Sequence, residues 1–113
     1  MTESRAPDLL RHIVEAAELA CSYVAGLSKD EFLGDTRTQQ AVIMNIVIIG
    51  EAATRLAKDD PDFVERYPDI PWKSMRGMRN RIAHGYFDVD LEIVWETVRK
   101  ALPGLIEQIR SIQ

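Results

Sequence analysis

The sequence predicts an all-α fold, an antiparallel bundle of about four to five helices, from three observations. Apolar residues recur at three- and four-residue steps through most of the chain. Helix start and stop signals bound each such stretch. No alternating strand pattern, internal repeat or low-complexity segment competes with them.

Leu9, Leu10, Ile13, Val14, Ala17, Ala20, Cys21, Val24 and Leu27 fall on one helical stripe, which predicts a first helix from about Pro7 to Leu27. Ser28-Lys29-Asp30-Glu31 has the Ser-x-x-Glu form of a capping box, so a short helix from Lys29 to about Leu33 follows. After Gly34 and Asp35, Val42, Ile43, Ile46, Val47, Gly50, Ala53, Leu56 and Ala57 keep helical phase between Thr36 and about Lys58. The centre of that segment, Val42 to Ile49, is rich in β-branched residues and reads as a strand by itself; its flanks and total length decide for helix. Being apolar on nearly every face, it needs cover from the other helices or from a second copy of the chain, and a homodimer is a natural way to supply it.

Asp60 before Pro61 reads as an N-cap with proline at the first helical position, and Pro68 stops the short helix from about Pro61 to Arg66. Pro71 offers a similar start for a helix to about Ala83, with Gly85 as terminator, which leaves His84 at or near a helix end. Asp90 caps a last helix from Leu91 to Ile112, whose apolar positions keep one phase through Pro103, so a kink is expected there rather than a break.

At 113 residues the chain is read as one helical domain, 1–113, with a single core. Its 46% apolar and 28% charged residues indicate neither a disordered nor a fibrous class. The longest nearly apolar run, Ala41 to Gly50, is interrupted by Asn45 and falls short of the roughly 20 residues of a membrane span, so it reads as core. The segment Met1 to Pro7 lacks the basic stretch and apolar run of a secretory leader, and a cytoplasmic location is expected. Cys21, the only cysteine, lies in an apolar stripe and reads as a buried, inert thiol.

The formal net charge of −4 excludes a protein that coats nucleic acid by bulk electrostatics. Yet from Ile70 to Phe87 there is no Asp or Glu, while Lys73, Arg76, Arg79 and Arg81 all fall there. Inside this basic island, Arg79-Asn80-Arg81-Ile82-Ala83-His84-Gly85-Tyr86 brings guanidinium, carboxamide, imidazole and phenol close in sequence. An imidazole, with an ordinary pKa of about 6.5, gives and takes protons near neutrality, and a guanidinium grips two phosphate oxygens in a fork. These are the parts that metal-free cleavage of RNA requires: a base for the 2′-hydroxyl, an acid for the leaving 5′-oxygen, and donors for charge building on phosphorus. Spacing alone is less decisive. Asn80 and His84, four apart, share a helix face, whereas Arg79 and His84, five apart, diverge by about 140° unless the helix ends or bends. Arg–His pairs near helix ends also arise from capping and dipole interactions.

The run from Arg79 to Tyr86 matches the Arg-x4-His-x-Tyr signature, and the chain resembles the HepT-like toxins of the HEPN superfamily from about Pro7 to Ile109. Ile48-Ile49-Gly50-Glu51-Ala52-Ala53, Tyr67-Pro68-Asp69-Ile70-Pro71-Trp72 and Val89-Asp90-Leu91-Glu92-Ile93-Val94-Trp95 extend the likeness. The resemblance implies a HEPN-like helical homodimer with both motifs facing one cleft at the two-fold axis. It also implies metal-independent RNA cleavage and a separate minimal nucleotidyltransferase as antitoxin, which silences the toxin by transferring AMP to the motif tyrosine. Carried onto this chain, Arg79 binds the scissile phosphate, His84 is acid or base, Asn80 orients phosphate or His84, and Tyr86 is the modified residue.

Each assignment has a plainer alternative. His84 can simply interact with helix-end carbonyls, and Tyr86 can be a part-buried aromatic with a satisfied hydroxyl. Arg76 and Arg81 extend an RNA-contacting rim, or are solvated helix residues or contacts for an acidic partner. Glu51 and Arg55, four apart, read as a surface or interface ion pair; His12 lies on the solvent side of the first helix; Trp72 and Trp95 read as packing anchors. No metal site and no cofactor is expected. Two functions follow: an endoribonuclease toxin, and alternatively a non-catalytic nucleotide-binding module that partners a nucleotidyltransferase.

Overall fold

A computed structural model describes residues 4–113; Met1 to Glu3, part of the stretch read above for a leader, lie outside the described residues. The elements are α1 (Ala6–Val24), α2 (Lys29–Leu33), α3 (Thr36–Asp59), α4 (Pro61–Arg66), α5 (Trp72–His84), a 3-10 turn (Tyr86–Asp88), α6 (Leu91–Glu96), a π turn (Thr97–Ala101) and α7 (Leu102–Arg110). Because α6, the π turn and α7 form one continuous helical run, the described residues form an all-α bundle of four long helices and two short ones. No strand occurs among the described residues.

α1 and α3 lie side by side and antiparallel: Ser4, before α1, donates from Oγ to Asp60 Oδ2 at 2.9 Å, beyond the far end of α3. α5 packs on α3, and α7 returns along α1, where Arg110 pairs with Glu18 at 2.9 Å. The core runs between these helices, with Ile13, Ala17, Val42, Ala53, Leu56 and Ile109 fully enclosed. Phe32 of α2 is also fully buried and rests on Trp95 at 5.3 Å. Removing a side chain of that size from water stabilises the fold by about 1.5–3 kcal/mol. Trp72 is buried too, its indole N–H donating to the Tyr67 carbonyl at 3.0 Å, so both tryptophans are packing anchors.

The local signals explain most helix boundaries. The capping box is complete: the Glu31 amide donates to Ser28 Oγ at 3.1 Å and the Ser28 amide to Glu31 Oε1 at 2.9 Å. Asp60 and Asp90 cap α4 and α6, and Asp35 caps α3 with two bonds from Thr38, which hold its carboxyl below the usual range. α1 stops at Val24 instead of Leu27, because Gly26 takes a left-handed φ of +81° that turns the chain out of the helix. α5 begins at Trp72 with Pro71 as its cap residue and includes His84; Gly85 ends it with a φ of −150° and a ψ of 62°, not in the left-handed conformation.

The irregularity near Pro103 is a π turn just before it. Pro103 has no N–H, and its ring crowds the carbonyl four residues back, that of Arg99. The turn from Thr97 to Ala101 widens, so that the Leu102 amide reaches back five residues to the Thr97 carbonyl, and the helix continues unbroken.

Among the described residues, α3 is the one helix long and apolar enough, by composition, to cross a membrane, with half of its most apolar window buried. Its packing is that of a core helix, flanked by α1 and α5. Its outer face still leaves Met44 60% and Ile48 39% exposed, so the cover that the sequence calls for is incomplete in one chain. Cys21 is half-buried rather than enclosed as the sequence suggests; burial is the main influence on its thiol and raises its pKa.

Candidate active site

α5 carries the basic island, and its docking on α3 decides where Arg79 goes. Gly50 is the contact point. A methyl group there would sit 2.8 Å from the Met75 carbonyl oxygen and press on the Arg79 stem, so only glycine lets the two backbones come this close. Arg79 is therefore laid along α3, and its Nε reaches 2.8 Å from Glu51 Oε1. The Nε–H, buried, does not point along that contact, so the pairing is an ion pair without a well-formed hydrogen bond. Arg79 also donates from Nη1 to Asn80 Oδ1 at 2.9 Å. Two neighbours thus fix the guanidinium, while part of its nitrogen fork stays available to an anion.

The ion pair expected within α3 is replaced by this one across helices: Glu51 pairs with Arg79, not with Arg55. The four-residue rule finds partners on one helix only, and here the close approach at Gly50 brings a competing guanidinium from α5.

His84 is the last residue of α5 and is exposed. Since α5 stays helical through it, Arg79 and His84 leave the helix about 140° apart, and no side-chain hydrogen bond joins them. Arg79 and Asn80 are brought together; His84 instead lines a cleft of about 360 Å³ with Arg81, Asp88 and Asp90. Arg76 is exposed and lines neither this cleft nor the larger one beside it. Tyr86 opens the 3-10 turn, 46% exposed, and meets Phe87 edge-on at 6.1 Å. His12, on the outer side of α1, is exposed. Among the described residues no three His, Cys, Asp or Glu side chains converge where a metal could bind.

Three features of this region escape a reading of the sequence: Glu51 as partner of Arg79, the full exposure of Phe87 at 98%, and Asp88 beside His84. Only the first had a signal, since Gly50-Glu51 stands in one of the runs that carry the family resemblance.

Residues 13–112 match the family described as "Ribonuclease HepT-like". The chain belongs to the HepT-like ribonuclease family. A "Probable ribonuclease HepT" of Thermococcus cleftensis is 40% identical over 98 residues, covering 87% of this chain and 86% of its own length. Proteins named "Putative RNase" from Caldanaerobacter subterraneus and Methanocaldococcus jannaschii are each 37% identical over 103 residues, covering 91% of this chain and 89% and 83% of theirs. No solved structure matches the chain. Membership of the HepT-like family fits the all-α bundle.

Proposed function

We propose that this chain is a metal-independent endoribonuclease, the toxin of a toxin–antitoxin pair, acting as a homodimer in the cytoplasm. The observation that carries the reading is the anchored Arg79, held by Glu51 and Asn80 with donors to spare, on the same helix that ends in an exposed His84. In the reaction, a base removes the 2′-hydroxyl proton and the 2′-oxygen attacks phosphorus. The 5′-oxygen leaves with a proton from an acid, giving a 2′,3′-cyclic phosphate and a 5′-hydroxyl. His84 serves as acid or base, and Arg79, with Asn80 beside it, stabilises the charge on the phosphate oxygens.

The divergence of Arg79 and His84 around α5 supports a dimer, because a cleft between two copies could combine the Arg79 flank of one with the His84 flank of the other. Met44 and Ile48, exposed on the helix that carries Glu51, add apolar surface for such a contact. The exposed Tyr86 hydroxyl suits attack on the α-phosphate of ATP held by a nucleotidyltransferase antitoxin, with loss of pyrophosphate. AMP at that position would put bulk and negative charge two residues from His84 and exclude substrate phosphate.

The test is cleavage of labelled total RNA in EDTA by the purified chain, with its mass in solution measured alongside. Fragments with cyclic phosphate ends, from a protein of twice the chain mass, are expected. A pure dimer that leaves RNA intact at every concentration would overturn the reading in favour of a nucleotide-binding module.

Glu51 offers a second check on the same site. Glu51→Gln keeps the shape but removes the charge that fixes Arg79, and a misplaced guanidinium is expected to lower kcat about ten- to a hundredfold. KM should hold or fall, because one negative charge near the substrate is gone. A rise in KM at constant kcat would show that Glu51 serves RNA binding and not the placement of Arg79.

A further inference from the structure

The cleft beside His84 is a hollow of about 360 Å³ between the end of α5, the 3-10 turn and α6, a size found among small-ligand sites. Its buried residues, Ile82 and Val94, give it an apolar floor; Arg81, His84, Asp88 and Asp90 are exposed at its mouth. One oxygen of Asp90 is committed, accepting from the Glu92 and Ile93 amides at 2.9 and 3.3 Å as the cap of α6. Asp88 has no such capping duty. Across Arg81 lies a second cleft, of about 440 Å³, which shares Met78 and Arg81 with the first and adds Lys73 but no carboxylate.

This arrangement is polarised. Arg81 and Lys73 suit the phosphates of a strand laid over α5, whereas the Asp88 carboxylate keeps phosphate out of the hollow itself and calls for N–H donors there, leaving the scissile phosphate at the rim beside His84. An apolar hollow with an acceptor at its mouth suits a splayed-out base, the usual target of sequence-specific RNA binding. Among the four bases only guanine presents two adjacent N–H donors on its Watson–Crick edge, matching the two oxygens of one carboxylate. We propose that the cleft beside His84 is a base subsite for guanine, with Asp88 accepting from N1–H and N2–H and Arg81 holding the neighbouring phosphate. The inference rests on the ribonuclease reading for its substrate class.

Binding of guanosine, adenosine and uridine 3′-monophosphates to the full chain, measured by titration calorimetry, tests the subsite without any need for turnover. Guanosine 3′-monophosphate is expected to bind at least about fivefold more tightly than the other two, the discrimination typical of a bidentate base contact. Asp88→Asn, an isosteric change at an exposed position, should erase that preference, because its amide offers donors where guanine also donates. Equal affinities in the wild type, tighter binding of another nucleotide, or a preference that survives Asp88→Asn would overturn the proposal. Mapping of cut positions on a defined RNA separates the two readings: cuts are expected beside guanosines. A chain that cuts nothing yet keeps an Asp88-dependent guanosine preference would sink the ribonuclease reading and leave the base subsite standing.

Discussion

His84→Ala is expected to lower cleavage of RNA by about a hundred- to ten-thousandfold, the usual contribution of a positioned acid or base, and to leave the helical content and melting temperature unchanged. The second half of that expectation follows from where His84 sits. It is an exposed residue at the last position of α5, followed by a glycine, and is not among the buried side chains of the core. Substitution therefore removes chemistry without removing packing. The measurement is initial-rate cleavage of a labelled RNA by wild type and variant, with far-ultraviolet circular dichroism on both. A variant that folds normally and cleaves at the wild-type rate would take His84 out of the mechanism. One that loses activity only together with its helical signal would show that His84 acts as a helix-end residue and not as a proton carrier. In a dimer whose cleft takes one histidine from each copy, mixing wild type with excess variant should also depress activity more than dilution does.

The parts of this picture that were legible in the sequence are those governed by neighbours along the chain. Helical phase placed the stripes of α1 and α3 correctly, even where Val42 to Ile49 favours a strand, because a run as long as Thr36–Asp59 exceeds any ordinary strand. Ser28, Asp60 and Asp90 announced their caps because a cap is a bond to an amide two or three residues away. What was not legible depends on a second element or on backbone conformation. The end of α1 turns on the left-handed Gly26, and a glycine in sequence does not declare its φ. Pro103 signalled a disturbance, but its relief lies upstream in a wider turn, where no residue type marks it. The same division runs through the site. The motif from Arg79 to Tyr86 was visible, whereas the partner that fixes Arg79 comes from another helix and was assigned to Arg55 by a rule that knows only one helix.

Gly50→Ala should destabilise the protein even though alanine is the better helix former. In an open helix position the exchange would gain roughly 1 kcal/mol from propensity. At Gly50 the added methyl would stand 2.8 Å from the backbone oxygen of Met75, a group that cannot rotate away, so α3 and α5 must separate. Such overpacking costs about 1–3 kcal/mol, and the space opened between two packed helices forfeits further contacts. The balance is a loss, expected as a fall of several degrees in the thermal midpoint, at about 4–8 °C per kcal/mol for a chain of this size. Gly104→Ala supplies the contrast: within α7 a methyl at that position meets nothing within 4 Å, so the midpoint should rise. Opposite signs for the same exchange would locate the effect in the helix contact rather than in glycine itself, and a Gly50→Ala chain that melts at or above wild type would refute it. The catalytic consequence is larger than the thermal one. Moving α5 off α3 withdraws Arg79 from Glu51, and a guanidinium displaced by even 1 Å can cost about a hundredfold in rate. Well below its melting point, the Gly50→Ala protein should therefore be folded and nearly inactive, which would tie the packing of two helices to the placement of a single phosphate-binding side chain.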